Sequence, residues 1–185
     1  MKLPEDLSET ELVKRLIQRD PAVFLHVYRE HAPVLGRVLS RMGVPPEDVE
    51  DLLQTTFTEA LAGLDRFEGR SSIRSWLLSV ALNQTRNYIR ARIRDRSNAP
   101  LLAQVASPAK DAEVQLSEAQ QNTRFQRALA ALPPMQREAL VLCELSGLPA
   151  REVSELLGVP AGTVWRRVHD AKASLRKLLA EEDPS

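Results

Sequence analysis

Amide and guanidinium side chains recur at spacings of three or four residues between positions 83 and 94. On a helix, with about 100° between successive residues, this spacing places them on one stripe. Amides can hydrogen-bond base edges, and guanidinium groups suit phosphates. The pattern favours an anionic polymer as partner, and a solvated charged face is the alternative. We call this set the amide–arginine stripe; it consists of Asn83, Arg86, Asn87, Arg90 and Arg94.

A single long amphipathic helix must carry the stripe. No glycine or proline occurs from Ile73 to Arg96, so nothing in the sequence interrupts a helix there. Ser71 or Ser72 can cap its start, because a serine hydroxyl accepts a bond from an unpaired N–H of the first turn. The other face is mostly apolar and is expected to pack in the core. It carries Ile73, Trp76, Leu77, Val80, Ala81, Gln84 and Tyr88.

The charges of the chain are balanced overall but segregated along it. The 185 residues include 25 Lys+Arg and 25 Asp+Glu, which gives a formal net charge of zero. Acidic residues concentrate between positions 47 and 68, whereas basic residues concentrate at 86–96 and 166–177. Two basic patches on a neutral chain indicate local contact with nucleic acid rather than attraction by the whole protein.

Several classes of protein are disfavoured by what the sequence contains. Cys143 is the only cysteine, and its apolar neighbours suggest a buried, inert thiol. The first residues do not resemble a signal peptide, and no run approaches the length of a membrane helix, so we expect a cytoplasmic protein without membrane insertion. The spacing of His26, His31 and His169 matches no common metal site. With no glycine-rich phosphate loop or activated nucleophile, we expect no enzyme, no metal and no cofactor.

The N-terminal part reads as a series of helices. Ser8 begins a capping-box pattern, and Asp20-Pro21 is a cap followed by a first-turn proline. Pro33 predicts a kink or a break in the second helix. The third helix is expected to begin at Pro46 or Glu47. The early acidic residues of this third helix suit its dipole, and they could also bind a basic partner.

After Arg96 the composition changes, and residues 97–112 read as a linker rich in alanine, serine and proline. Further helices are predicted from about Glu113 to Leu132, from Pro134 towards Gly147 and over 150–157, and a last one begins near Gly162 or Thr163. The predicted fold is all-α: two small helical domains joined by a flexible linker, the C-terminal one a helix-turn-helix. The predicted domains are residues 1–96 and 113–185.

A short helix, a glycine-containing turn and a longer basic helix outline the helix-turn-helix. In such motifs the N-terminal end of the second helix enters the major groove. Helical hairpins of this shape also occur in domains that bind no DNA. The face expected to pack inward carries Val164, Val168, Ala171, Leu175 and Leu178, and the opposite face carries Trp165, Arg166, His169 and Asp170. Arg167 and Lys172 lie on the flanks, where phosphate contact is expected.

Two sets of motifs resemble the second and fourth regions of bacterial sigma factors. The first set comprises Glu50–Gln54 with Phe57, Leu64–Leu77, Ala81–Asn83 and the following arginines; the second comprises Ala130–Pro133, Gln136–Ala139, Gly147-Leu148, Glu152–Val164, Arg167–Lys172 and Leu175-Arg176. Their order, with only a linker between them, resembles the extracytoplasmic-function group. The resemblance implies a protein that binds core RNA polymerase, directs it to promoters and assists their melting.

The resemblance also implies roles for particular residues. The non-template strand of the minus-ten element and the adjacent duplex would contact Phe67, Arg70, Ser71, Ser72, Arg74, Trp76, Asn83, Arg86, Asn87 and Arg90. The minus-thirty-five element would contact Thr163, Trp165, Arg166, Arg167, His169 and Lys172. The β′ clamp helices of the polymerase would contact Asp51, Leu52, Gln54, Thr55 and Phe57, and the β subunit is a further expected partner. An anti-sigma factor is implied as well.

Three positions depart from the family pattern. Thr55 stands where an acidic residue is common, which would re-tune the polymerase contact. Trp165 and Asp170 stand where basic or small residues are common. Trp165 could pack on a thymine methyl, and Asp170 could accept from a cytosine amine or orient Arg166 or Arg167. The alternative function is a stand-alone helix-turn-helix regulator, which would bind duplex DNA tightly without polymerase.

Overall fold

A computed structural model of the chain describes residues 8–67, 71–98 and 113–181. Within these ranges every regular element is helical, which confirms the predicted fold class. The N-terminal bundle contains α1 (Glu9–Ile17), α2 (Pro21–Arg41), α3 (Pro46–Ala62) and α4 (Ile73–Asn98), with a 3-10 turn at Leu64–Arg66. The C-terminal bundle contains α5 (Glu113–Ala131), α6 (Pro134–Leu140), which a π-helical turn continues over Val141–Leu145, α7 (Ala150–Leu157) and α8 (Ala161–Glu181). Of the predicted linker, Ser97 and Asn98 are the last residues of α4, and residues 99–112 lie outside the described part.

The starts of the N-terminal helices are fixed by side-chain caps. Ser8 Oγ accepts a hydrogen bond from the Glu11 N–H at 3.3 Å, and Asp20 Oδ1 accepts one from the Ala22 N–H at 2.9 Å. Of the two serines proposed for α4, Ser72 is the cap, since its Oγ accepts from the Ser75 N–H at 3.1 Å. Each cap satisfies a backbone donor that has no partner within its own helix.

Helices α2 and α8 differ from the sequence prediction. Helix α2 runs without a break through Pro33 to Arg41. Pro33 is exposed, while Leu35 and Val38 on the other side are buried and hold the helix against its neighbours. Helix α8 begins at Ala161, one or two residues earlier than expected. Its first turn closes there because the Pro160 carbonyl accepts from the Thr163 N–H at 2.8 Å.

The core of the N-terminal bundle lies between α2, α3 and α4. Leu39, Leu78 and Ala81 are almost fully buried, and Phe57 packs edge-on against Phe24 at a centroid distance of 6.4 Å. Full burial of a leucine side chain contributes about 1.5–3 kcal/mol. This packing fixes which face of α4 points outward.

The C-terminal bundle is organised around α8, which packs against α6 and α7. Its predicted inner face is confirmed: Val164, Val168, Ala171 and Leu175 are buried, and Leu178 is half-buried against the core. Gly158 ends α7 with φ of +65°, the left-handed conformation that glycine adopts without strain. The turn after Gly158 directs the first residues of α8 into solvent.

The two bundles touch each other, a contact that the sequence does not predict. Helix α2 packs against the Val141–Leu145 turn, and the start of α4 lies against α7. The buried apolar residues of the two bundles therefore form a continuous cluster. Among the described residues, no helix has the length and apolarity needed to cross a membrane.

Candidate nucleic-acid interface

Most of the amide–arginine stripe is exposed along α4. Asn83, Asn87, Arg90 and Arg94 all face solvent. The opposite side of the same turns is buried: Thr85 is 2% exposed, and its hydroxyl donates to the Ala81 carbonyl at 2.7 Å. The predicted separation of faces is confirmed, and the stripe presents amides and guanidinium groups together along about three turns of helix.

Arg86 is the exception within the stripe. Its Nε and Nη2 donate to the two carboxylate oxygens of Glu138 on α6, at 2.8 and 2.6 Å. The side chains are 33% and 15% exposed, so the pair is partly shielded from water. The hydrogen bonds that Arg86 donates to Glu138 raise the pKa of the guanidinium group. Sequence reasoning missed Glu138, since helical periodicity carries no signal for a partner 52 residues away.

Trp76 and Phe67 form an aromatic pair at the start of α4. Their ring centroids lie 5.7 Å apart with the planes at 65°, and the indole N–H donates to the Ala60 carbonyl at 3.2 Å. A Cβ at Gly63 would lie 3.1 Å from Cζ2 of Trp76, so glycine lets the indole approach α3 closely. Both rings are half-buried, and they shape the surface that precedes the stripe.

The polar residues at the start of α4 form hydrogen bonds within the N-terminal bundle and with the C-terminal bundle. Ser71 and Ser72 are half-buried, and Ser72 is the α4 cap. Arg74 Nη2 donates to the Ser146 carbonyl, and Ser75 Oγ donates to Glu152 on α7. Arg70 lies outside the described residues. The structure therefore brings the described members of the predicted minus-ten set to one end and one side of α4.

The candidate recognition helix presents its predicted residues to solvent. Trp165 is 64% exposed although it is a large aromatic, and Arg166 and His169 are exposed as well. Thr163 is half-buried in the first turn, and Arg167 donates to the Met135 sulfur at 3.4 Å.

Two charged residues of the same helix have partners. Asp170 lies 3.5 Å from His169 Nδ1, so its neighbour here is the histidine rather than the expected Arg166 or Arg167. Lys172 Nζ forms an ion pair with Glu144 at 2.8 Å, and both side chains are nearly half exposed. A surface pair of this kind contributes about 0–1 kcal/mol, so Lys172 can exchange its partner for a phosphate.

The predicted polymerase-binding residues divide between the surface and the core of α3. Asp51, Gln54 and Thr55 are exposed, and Leu52 is half-buried. Phe57 is 3% exposed, with its ring 4.8 Å from that of Tyr28, so in this arrangement it is a core residue and not part of the surface. Phe57 turns towards α2, where its ring contacts those of Phe24 and Tyr28.

A polar triad ties the acidic helix α3 to the basic helix α4. Tyr88 donates to Asp48, and Arg92 Nη1 donates to the same carboxylate oxygen at 3.0 Å. Burial and the bond to Asp48 raise the pKa of the Tyr88 hydroxyl. The helical pattern predicts Tyr88 on the apolar face and gives no role to Arg92. The triad fixes the position of the stripe relative to the acidic surface.

Two all-helical bundles, one with a largely exposed amide–arginine stripe and the other with a helix-turn-helix, are typical of a DNA-binding protein. Residues 27–95 match the family Sigma-70 region 2, and residues 122–175 match Sigma-70, region 4. The chain is 30% identical over 176 residues to RNA polymerase sigma factor NccH of Alcaligenes xylosoxydans xylosoxydans, which covers 91% of this chain and 92% of that protein. It is 28% identical over 186 residues to the ECF RNA polymerase sigma-E factor of Escherichia coli (strain K12), which covers 94% and 95%.

Solved structures show the same fold. The structure of CnrH in complex with the cytosolic domain of CnrY matches with a TM-score of 0.72 at 24% identity, over 95% of this chain and 99% of that one. The sigma factor RpoE in complex with the anti-sigma factor NepR from Bartonella quintana matches with a TM-score of 0.68 at 27% identity, over 85% and 96%. The chain belongs to the extracytoplasmic-function group of RNA polymerase sigma factors. Its function is promoter recognition for RNA polymerase.

Proposed function

We propose that α4 and the segment before it bind the minus-ten element and assist its melting. The exposed amides of Asn83 and Asn87 can bond base edges, and Arg90 can bind phosphate. The pocket surface around Phe67 and Trp76 lies at the end of α4, next to these groups. A base that leaves the stack costs a few kcal/mol, which an aromatic surface can offset by stacking.

The start of α8 reads the minus-thirty-five element as duplex DNA. Trp165, Arg166 and His169 project from its first turns, as the recognition helix of a helix-turn-helix requires. Trp165 supplies an apolar surface for a thymine methyl, whereas Arg167 and Lys172 on the flanks supply positive charge for phosphates. This division assigns sequence choice to the first group and affinity to the second.

The exposed side of α3 binds core RNA polymerase. Asp51, Gln54 and Thr55 form a polar, net acidic surface, and Phe57 supports it from the core. The surface suits a basic helical partner, in agreement with the β′ clamp helices that the resemblance implies; the β subunit is a second expected contact. Thr55 is neutral and bonds the Asp51 carbonyl at 2.9 Å, so its contact is weaker electrostatically than that of a carboxylate.

The remaining assignments follow from membership of the family. The chain acts in the cytoplasm as a binding factor without catalysis of its own, in two functional units that correspond to residues 1–96 and 113–185. An anti-sigma factor is its proposed regulator. RpoE of Bartonella quintana, a relative of known structure, was crystallised with the anti-sigma factor NepR.

The observation that carries the proposal is the pair of exposed readers, one on α4 and one on α8, in a chain of this family. The test is initiation on a promoter library by core polymerase in the presence and absence of purified protein. We expect transcripts that depend on the protein. Folded protein that binds core polymerase but never yields initiation would contradict the proposal, and tight duplex binding without polymerase would favour the stand-alone regulator.

A further inference from the structure

The first turn of α4 has a backbone donor that its own cap does not satisfy. The N–H groups of the first turn of any α-helix lack acceptors within the helix. Ser72 Oγ accepts from the Ser75 N–H at 3.1 Å, and the Ser72 carbonyl accepts from the Trp76 N–H at 3.0 Å. Neither bond reaches the N–H of Ile73, the first residue of α4, whose side chain is 4% exposed. An acceptor from another element is required there.

That acceptor is Glu9, which is the first residue of α1. Its Oε1 accepts a hydrogen bond from the Ile73 N–H at 2.6 Å, across 64 residues of sequence. The bond is charge-assisted, and the carboxylate also lies at the positive end of the α4 dipole. Glu9 and Ser72 therefore cap α4 together, one from another helix and one from the residue before it.

The opposite end of α1 contacts the 3-10 turn that precedes the proposed minus-ten residues. Leu16 and Ile17 line a cleft of about 610 Å³ together with Leu64 and Asp65 of that turn. With nine residues, α1 is about 14 Å long. It thus contacts the element before and the element after the stretch 67–76, which we call the capture segment. Residues 68–70 of this segment lie outside the described part.

The aromatic pair of the capture segment depends on both contacts. Phe67 directly follows the 3-10 turn, whereas Trp76 lies in the first turn of α4, and their ring centroids are 5.7 Å apart. A displacement of the start of α4 would move Trp76 relative to Phe67. If the rings had to be ordered only when a base arrives, the cost of ordering would be subtracted from the binding free energy.

We propose that Glu9 is a positioning residue for promoter opening. Through its bond to Ile73 it holds the first turn of α4 where Trp76 and Phe67 accept an unpaired base. Glu9 acts through α4 and contacts no DNA itself. The inference rests on the proposed function and deepens it, because it identifies what holds the minus-ten site in its binding shape. It also gives α1 a role in promoter opening, which the sequence does not indicate.

Three substitutions of Glu9 separate the reach of the side chain from its charge. Glu9→Ala removes the acceptor. Glu9→Asp keeps the charge but is one methylene too short for the Ile73 N–H, and Glu9→Gln loses the charge but keeps an acceptor oxygen of the same reach. The matched control is Glu11→Ala, which removes a carboxylate from the same helix. Its partner is Arg15 within α1, at 3.3 Å.

Binding is measured by fluorescence anisotropy with the full chain bound to core polymerase, on two labelled single strands. The cognate strand carries the downstream sequence block shared by the transcripts that the protein directs, and the second strand carries the same bases in shuffled order. Glu9→Ala and Glu9→Asp should bind the cognate strand roughly fivefold more weakly, as expected for the loss of one helix cap. Both should stay within about twofold of the wild type on the shuffled strand, because phosphate contacts carry no sequence information. Glu9→Gln and Glu11→Ala should stay within about twofold on both strands.

An equal loss on both strands would overturn the inference, since a destabilised bundle lowers the amount of active protein and hence binding to every strand. Unchanged cognate binding by Glu9→Ala, or the same loss in Glu9→Gln or Glu11→Ala, would overturn it as well. Circular dichroism checks each fold, and if Glu9→Ala does not fold, Glu9→Asp decides. A wild type that does not distinguish the two strands defeats the proposed function. A wild type that distinguishes them, beside Glu9 variants that do so equally well, defeats this inference alone.

Discussion

Arg86 and Arg90 lie one turn apart on α4 but in different surroundings. Arg86 is held by Glu138, and Arg90 is exposed. The sequence assigns both to one stripe, which is correct for the helix face. Helical periodicity does not predict which residues of the other bundle face the stripe, and Glu138 contacts Arg86 only because the two bundles pack together. Arg90 is therefore the cleaner position at which to measure the electrostatic contribution of the stripe.

Arg90→Ala should weaken DNA binding by a similar factor on every sequence. A phosphate contact releases about one counterion, so the slope of log K against log salt should become shallower by about 1. The measurement is fluorescence anisotropy with the polymerase holoenzyme on duplex and single-stranded probes over a range of salt concentrations. Arg29→Ala, which alters an exposed arginine on α2, is the control. An unchanged salt slope would exclude Arg90 from the interface.

Trp165→Ala should alter promoter choice more than total affinity for DNA. The side chain is 64% exposed, so its removal leaves the core intact and the melting temperature nearly unchanged. Loss of an apolar contact to a base is worth about 1–3 kcal/mol of discrimination. Holoenzyme competition between promoters that differ in their upstream segment measures the effect. A uniform loss on all promoters would argue against groove readout by Trp165.

Helix starts and faces are the features that the sequence predicts best, because their causes are local. Ser8, Asp20 and Ser72 cap helices where their types and neighbours indicate. A break at Pro33 does not occur, since a proline on the exposed face removes one backbone bond without disturbing the packed face of α2. Phe57 is buried on the apolar side of α3, and the polymerase contact that the resemblance implies for it stays a prediction.

Two glycines that differ in backbone conformation test the geometry of the turn in the helix-turn-helix. Gly158 has φ of +65°, whereas Gly162 lies within α8, and a Cβ at either position would meet nothing within 4 Å. Gly158→Ala should lower the free energy of unfolding by about 1 kcal/mol, because alanine is strained in the left-handed region. Gly162→Ala should leave it unchanged or raise it by up to about 1 kcal/mol. Urea unfolding of both variants gives the comparison, and equal effects would contradict the assigned turn geometry.

The link between α3 and α4 predicts a second stability effect. Tyr88→Phe removes the hydroxyl that donates to Asp48 and leaves the ring in place. We expect a loss of about 0.5–1.5 kcal/mol in the free energy of unfolding, since one charge-assisted hydrogen bond disappears and Asp48 keeps Arg92. Urea unfolding with an unchanged m-value would confirm it. No loss would show that the triad contributes nothing to the position of α4.

The charges that are segregated along the sequence lie on separate helices of the folded molecule. A net charge of zero conceals an acidic α3, a basic stripe on α4 and a basic α8. Arg74 and Arg86 of the first bundle donate to the Ser146 carbonyl and the Glu138 carboxylate of the second. Attraction between unlike charges within the neutral chain therefore holds the two bundles in contact. The sequence predicts two bundles and their order, and it leaves their contact unpredicted because that contact joins residues far apart in the chain.

The central claim is that two bundles read two separate promoter segments for one polymerase. The most direct measurement maps RNA 5′ ends made by core polymerase plus this protein on fragmented genomic DNA, with wild type, Asn87→Ala and Trp165→Ala. We predict protein-dependent starts that share two sequence blocks. Asn87→Ala should relax the sequence requirement of the downstream block, and Trp165→Ala that of the upstream block. Starts that share a single block, or both variants relaxing the same block, would contradict it.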